Sequence, residues 1–431
     1  MNLCPKAPMP VLHKQKEMPK GVPKGYIFSP SSYAPLMSSL DQLVLQNNLL
    51  SILSTHKDLY LSSNSWEDKK ATRESIALHL LNHVTKKRRR VLKNNERISI
   101  ASKAGNDPPE DVQDQGFTRP SVLVLLPFRS SALSWFNALV SHTPSPEYQI
   151  ENHSRINSEY GLPPDAVDKL TSAEPGTYSP DHVETFKGNV DDNFRVGIKL
   201  TRKSVKAFTE FYGCDIIIAS PLGLRQSIQK EKSAGCIDDA ELGPHHLNKI
   251  PKESHDTDFS RTKPWYLDGH SEYLRQSMLL SAYETPETRH LFNNRLKNVA
   301  GKIRTEKRWP PIDVPEGVDQ VWLVPTILST RLTAVNLRTL FDLTAAILKT
   351  RRINGSTISP RRYKIRGIRN LVFYGPPDHP QFYSEYLSFP FLDDGVESQD
   401  VTCRLLYSKY DWFRLERIAG TEAAVELTKS I

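Results

Sequence analysis

The sequence predicts an α/β protein built from strand–helix units in two domains, with a helical extension in front of them. Three observations carry this expectation. Two short runs, Val122 to Leu126 and Ile216 to Ala219, are wholly apolar, as strands buried on both faces of a parallel sheet are. Past Pro127 the first run leads into Leu133, Trp135, Phe136 and Leu139 at helical spacing, and a strand feeding a helix is the repeating unit of such a sheet. Strand-like runs then restart after residue 310, in "QVWLVP", "NLVFY" and "VTCRLLYS", with about 120 residues available for a second domain.

Taken in order, residues 1–39 read as a flexible arm, because seven prolines from Pro5 to Pro35 lie among lysines and serines and little there can be buried. Residues 40–115 read as a helical region and linker. One amphipathic helix is expected from Leu40 to Tyr60, and a second from Arg73 to about Val91 with Ile76, Leu80, Leu81 and Val84 as its apolar stripe. Lys86, Lys87, Arg88, Arg89 and Arg90 follow that stripe. Like charges at helical spacing repel, so the run reads as a solvated helix end, a nuclear import signal or a phosphate-backbone contact. Residues 101–118 are polar and read as linker.

The first domain is expected over residues 116–305. Ser130 or Ser131 would cap the helix after the first strand, and residues 141–182 read as a surface excursion. A strand near Phe194 to Ile198 would lead into a helix capped by Thr201 and running to Phe211, with Arg202, Lys203 and Lys206 near its start. Asp215 enters the strand Ile216 to Ala219, after which the chain would turn at Pro221 and Gly223 and present Arg225. Residues 229–262 hold no strand pattern and mark a disrupted segment. "HSEYLRQSMLLSAY" restores a helix and a strand ending at Ser281, and Thr285 would cap the next helix. The second domain, residues 310–431, would add a helix from Ala334 to Leu348 and a final helix from Asp411 to Leu427.

Charge favours an anionic partner. Fifty-seven Lys and Arg against 49 Asp and Glu give a net charge of +8, which points to nucleic acid ahead of a membrane surface. No run approaches eighteen apolar residues, so neither a membrane span nor a secretory signal is expected. The four cysteines, at 4, 214, 236 and 403, are too scattered for a disulfide scaffold or zinc cluster, and an intracellular, reducing compartment is expected.

Catalytic constellations are missing from the sequence. Phosphate-loop chemistry needs GxxxxGK followed by Ser or Thr; the one Gly-Lys pair, Gly301-Lys302, precedes isoleucine and has Leu296 where the leading glycine belongs. Asp238 and Asp239 follow no proper strand. His245 and His246 are adjacent and point apart, so they are not metal ligands, and Ser220 fails the nucleophile-elbow pattern. No enzyme, metal or cofactor is predicted. The candidates for RNA binding are Arg129, Arg202, Lys203, Gly223 and Arg225, expected to converge at the C-terminal edge of one sheet. A second group comprises Arg361, Arg362, Lys364, Arg366 and Arg369, with Tyr363 available for stacking. From the residues alone, an ATP-dependent RNA helicase with unconventional motifs and a protein-interaction scaffold stay open as alternatives.

The phrases "GFTRPSVLVLLPFRSSAL", "FKGNVDDNFRVGIKLTRKS", "DIIIASPLGLR", "RRYKIRGIRNLVFYGPP" and "LLYSKYDWFRLERIAG" resemble, in order, those of the digestive organ expansion factor family, also called the U3 small nucleolar RNA-associated protein 25 family. "LNHVTKKRRRVLKNN" belongs to the same resemblance. It implies two RecA-like domains related to DEAD-box helicases, without a Walker A motif. It also implies a non-catalytic member of the small-subunit processome, a nucleolar ribonucleoprotein that processes pre-rRNA toward 18S rRNA. U3 small nucleolar RNA, pre-rRNA and processome proteins are the implied partners. Pro127, Phe128 and Arg129 stand where a PTR-type motif would, Ser220, Pro221, Gly223 and Arg225 resemble a TPGR-type motif, and Ser281 to Tyr283 replace SAT. The chain departs from the family in two places: after "SPLGLR", the polar stretch Lys230 to Glu253 replaces a hydrophobic strand ending in an acidic signature, and the segment before "RRYKIRG" is shortened.

Overall fold

The computed structural model describes residues 40–62, 68–107, 109–143, 149–163, 166–173, 178, 180–233, 258–324 and 366–429. The expected N-terminal arm, most of the disrupted segment, the helix at 334–348 and the positions Arg361 to Lys364 lie outside them. The chain forms two compact units, one comprising residues up to Tyr283 with His290–Thr305, the other Glu284–Arg289 with the residues from Glu306 on. The fold is mixed α/β.

In the first unit α1 (Leu40–Ser54) ends before the predicted Tyr60, because His56 adopts a positive φ of 57° and the chain straightens into β1 (Asp58–Ser62). Leu59 and Tyr60 are buried there. α2 (Asp68–Lys103) runs well past Val91: Lys, Arg and Glu are good helix formers, and their repulsion is too weak to end the helix. Its first half is packed through Ile76, Leu78, Leu81 and Val84, whereas beyond Val84 only Asn94 is buried. The predicted linker is fixed rather than loose at Asp114 and Gln115, whose N–H groups both donate to Arg261 O at 3.1 Å.

β2 (Val122–Leu125) leads into α3 (Arg129–Ser141) as the pattern requires. Neither Ser130 nor Ser131 caps it. Phe128 is the N-cap without a side-chain bond, and the exposed donors Arg129 N and Ser130 N are taken by Asp191 O and Asn189 O at 3.0 and 2.9 Å. The predicted surface excursion holds β3 (Gln149–Glu151), α4 (His153–Tyr160) and α5 (Pro180–Phe186), with Ile156 and Tyr160 in the core.

The larger correction concerns the helix predicted from Thr201. The chain makes a β-hairpin instead, β4 (Arg195–Leu200) antiparallel to β5 (Ser204–Ala207). Thr201 Oγ1 accepts from Ser204 N at 2.9 Å, a local turn that uses the same hydroxyl chemistry as a helix cap, while Leu200, Val205 and Ala207 bury into the core. β6 (Ile216–Ala219) is the expected buried strand. The loop predicted after it is a helix, α6 (Pro221–Ser233), with proline at the first position, where its missing N–H costs nothing. Gly223 packs this helix against β4's entry: a Cβ there would lie 2.3 Å from Phe194 O.

α7 (Pro264–Leu267), β7 (Met278–Ser281) and β8 (Lys302–Arg304) follow in this unit; α8 (Pro286–His290), between β7 and β8 in chain order, belongs mostly to the second. Thr285 Oγ1 accepts from Thr288 N at 3.2 Å, as a cap of α8 should. The strands form a five-stranded sheet ordered β2-β6-β4-β5-β3 and a three-stranded parallel sheet ordered β7-β1-β8. One hydrophobic core spans both, from Leu59 of β1 to Ile216 and Ile218 of β6, with Val122, Val124 and Met278 packed at its margin.

The second unit carries the parallel sheet β10-β11-β9, made of β9 (Asp319–Leu323), β10 (Asn370–Phe373) and β11 (Thr402–Leu406). α9 (Pro380–Ser388), α10 (Trp412–Ala419) and α11 (Thr421–Lys429) accompany it. The last two replace the single final helix expected, because Gly420 takes φ +88° and a Cβ there would lie 2.9 Å from Pro311 N. Tyr383, Leu387, Cys403, Leu405 and Leu415 form its core.

Candidate nucleic-acid interface

Among the described residues, the exposed half of α2 gathers four cations that have no carboxylate partner. At about 100° per residue, Arg89, Arg90, Lys93 and Arg97 fall within one arc of about 100° on the helix. With Asn94 and Asp111 they line a concavity of about 510 Å³. All four cationic side chains are exposed, and among the described residues no carboxylate lies within ion-pair distance of them; Arg97 Nη1 donates to Asn94 Oδ1 at 3.3 Å. Asp111, at φ 64°, offsets one charge of the four.

The floor of this cleft is rigid. Asn94 Nδ2 donates to Asp114 Oδ2 at 2.8 Å, and Arg261 Nη2 donates to both oxygens of Asp114 at 2.9 Å. Arg261 Nη1 also donates to Asn95 Oδ1. Asp114 is 1% exposed, and a buried carboxylate held this way is strongly committed to its partners. The surroundings are electropositive. Burial, then Lys263, pushes the Lys87 amine down to about 8, and burial, then Arg90, lowers that of Lys263.

Of the five consecutive cations Lys86 is exposed, and the other four divide. Lys87 Nζ donates to Arg119 O at 2.9 Å, and Arg88 Nη1 lies 4.0 Å from Asp215 Oδ2, so these two serve the fold. Arg89 and Arg90 face the cleft. Lys93 and Arg97 were not among the predicted residues; the helical period extended past Arg90 would have found them.

The expected convergence of Arg129, Arg202, Lys203 and Arg225 does not occur. Because β4 runs antiparallel to β6, pairing Ile198 with Ile216, the hairpin turn with Arg202 and Lys203 lies at the end of the sheet where β6 begins, whereas Arg129 and Arg225 follow the ends of β2 and β6. Asp215 instead joins the turn to α2: it accepts from Leu200 N at 2.8 Å and, bidentately, from Arg119 at 2.9 Å, with Arg88 nearby. Arg129 is engaged inside the fold, its Nε 3.1 Å from Asp191 Oδ2 and its Nη atoms donating to Glu159 O and Asn193 O. Gly223 is buried and Arg225 is exposed. In the second unit Arg369 is tied to Asp393 at 3.3 Å and Arg366 is exposed.

Among the described residues no helix is long and apolar enough to cross a membrane, and no group of three His, Cys, Asp or Glu side chains is placed to hold a metal ion.

Comparison with known proteins gives two family matches. Residues 56–242 and 237–303 match the "UTP25, NTP hydrolase-like domain" in two pieces that meet at 237–242, and residues 342–431 match the "Utp25, C-terminal domain". The U3 small nucleolar RNA-associated protein 25 of Sclerotinia sclerotiorum is 32% identical over 480 residues, covering 89% of this chain and 64% of that protein. That of Schizosaccharomyces pombe is 31% identical, covering 87% and 68%. The homolog from Xenopus tropicalis is 30% identical, covering 90% and 61%. The chain therefore spans about two thirds of the length of these curated relatives. The Sclerotinia alignment is 480 positions long while 89% of 431 residues is about 384, so roughly 96 positions are filled by the relative alone. Matches to both domains and a relative covered over 68% of its length establish that the chain belongs to the U3 small nucleolar RNA-associated protein 25 family.

Proposed function

We propose that this protein is a non-catalytic, RNA-associated assembly factor of the small-subunit processome, acting in the nucleolus in the processing of pre-rRNA toward 18S rRNA. Its partners in this reading are U3 small nucleolar RNA, pre-rRNA and processome proteins, and its two units are RecA-like domains that have lost nucleotide chemistry. The observation that carries the RNA reading is the α2 cleft, where four exposed cations, without carboxylate partners among the described residues, share one helix face. Charges so placed contact phosphates and position a strand without reading its bases. Arg202 and Lys203 are exposed in the hairpin turn, which Asp215 links to Arg88 of α2. Loss of nucleotide chemistry is supported by the stretch between β1 and α2, residues 63–67, which reads "SNSWE". It supplies neither the glycines that cradle phosphates nor the lysine and hydroxyl that follow them.

Crosslinking the protein to RNA in cells, paired with an ATPase assay on the purified chain, tests both parts. Crosslinks to pre-rRNA or U3 RNA are expected, with no RNA-stimulated ATP hydrolysis. Crosslinks confined to processome proteins would convert the reading to a protein scaffold, and RNA-stimulated turnover would make it a helicase.

A further inference from the structure

Two exposed aromatic rings stand on the segment that closes the floor of the α2 cleft. Arg261 bonds both Asn95 of α2 and Asp114. Gln115 N donates to Arg261 O at 3.1 Å and Gln115 O accepts from Lys263 N at 3.0 Å, so residues 261–263 are tied to the outer half of the helix. Lys263, whose pKa is lowered by burial and then by Arg90, holds its ammonium 5.2 Å from the centroid of the Trp265 ring. Trp265 is 37% exposed and Phe259 46% exposed. Both rings are held from behind. Phe259 and Tyr266 pack on the buried Phe117 with centroids 6.5 and 5.7 Å away, and Tyr266 lies 6.5 Å from Trp265 at an interplanar angle of 28°. Gly116 leaves room for this stack, since a Cβ there would lie 3.2 Å from Tyr266 Cζ.

Building on the phosphate reading of the cleft, we propose that Trp265 and Phe259 stack the bases of an unpaired RNA strand whose backbone lies along the cations of α2. Rings anchored beside a basic groove are how proteins hold single strands, because every base offers a π-face whatever its sequence. A duplex closes those faces against one another, so the rings select unpaired nucleotides. Lys263, next to both Arg90 and the Trp265 ring, carries positive charge from the phosphates to the base.

Fluorescence anisotropy of the full chain tests this with three labelled probes of about ten nucleotides: an oligoadenosine strand, its duplex with oligouridine, and an abasic ribose-phosphate strand of the same charge. The parent should bind the adenosine strand at least about fivefold more tightly than the abasic one. Trp265→Ala and Phe259→Ala should each weaken binding of the adenosine strand roughly 5- to 150-fold, leave its salt dependence and the affinities for the other two probes unchanged, and Trp265→Tyr should keep the parent's preference. Equal binding of the adenosine and abasic strands by the parent would overturn the proposal without recourse to any variant, and so would alanine variants that weaken all three probes alike. In both cases a salt slope that still falls on replacing Arg89, Arg90, Lys93 and Arg97 by glutamine leaves the phosphate reading standing. A parent that binds none of the probes would overturn the two together.

Discussion

Replacing Arg89, Arg90, Lys93 and Arg97 together by glutamine removes the free positive charge of the α2 cleft while keeping good helix formers at exposed positions. For single-stranded nucleic acid each phosphate contact contributes about 0.7 to the slope of log affinity against log salt. Four contacts contribute about 2.8, and the opposing charge of Asp111 reduces this to no less than about 2.1. Between about 50 and 200 mM salt the parent's affinity should therefore fall roughly 20- to 50-fold more than that of the quadruple variant. Fluorescence anisotropy of a labelled single-stranded RNA across that range measures both slopes. A variant slope within about 0.7 of the parent's, the value of one contact, would refute the assignment of the cleft to phosphates. Arg129→Gln is the informative control. Its side chain holds Asp191, Glu159 O and Asn193 O together, so it should lower stability and leave the slope unchanged.

Two further outcomes concern the frame of the site. Asp215→Ala removes the bidentate partner of Arg119 and the acceptor of Leu200 N; breaking a buried pair of this kind should cost about 3 kcal/mol, read as a roughly hundredfold loss of amide protection in β4 and β6, and a loss below about fivefold would show that the pair is dispensable. Burial lowers the pKa of His79, against the hydrogen bond from its Nε2 to Gln276 Oε1 at 2.9 Å. The unfolded chain, titrating near the ordinary value of about 6.5, then binds more protons than the folded one below that pH. The resulting stability is fully present above about pH 6.5 and is lost as pH falls toward the lower folded value. Thermal unfolding should shift down between about pH 7 and pH 5, less so in His79→Gln, and an identical shift in the variant would remove His79 from the account.

How much of this was legible in the sequence depended on whether the signal was local. β2, β6 and β10 are short, largely apolar runs with few alternatives, and each appears within a residue of its expected bounds, while β11 ends two residues before the expected Ser408. The hairpin at Thr201 was not legible, because a hydroxyl that bonds the N–H three residues on serves a helix cap and a turn equally. Only the burial of Leu200, Val205 and Ala207 against distant α3 and β6 decides between them. The cleft is half legible: the sequence shows five cations as one run, whereas the helix selects Arg89 and Arg90 from it, turns Lys87 and Arg88 inward, and recruits Lys93 and Arg97 from beyond it. The sequence marks Asp215 as a strand entry, but its partner Arg119 lies 96 residues away, and no local pattern reports such a pair. Arg129 shows the opposite failure. Its place after β2 matches a nucleic-acid motif, and loops from two other parts of the chain take its donors.

The cleft also bears on how a helix with like charges along one face keeps them in order. Asn94, in the outer half of α2, is tied by its side chain to Asp114 and through it to Arg261, so the order of Arg89 through Arg97 does not depend on the cations finding partners of their own. Their repulsion is then borne by the folded state, as the lowered pKa values of Lys87 and Lys263 register after burial has taken its share. An anion that enters meets side chains already gathered on one face and pays little to order them, which is where preorganised sites gain affinity. It also relieves the repulsion, so ligand binding and the stability of the outer half of α2 must rise together. On this reasoning the two halves of the helix divide the work: the packed half, through Ile76, Leu78 and Val84, holds the core, and the exposed half holds its charges ready at the expense of local stability.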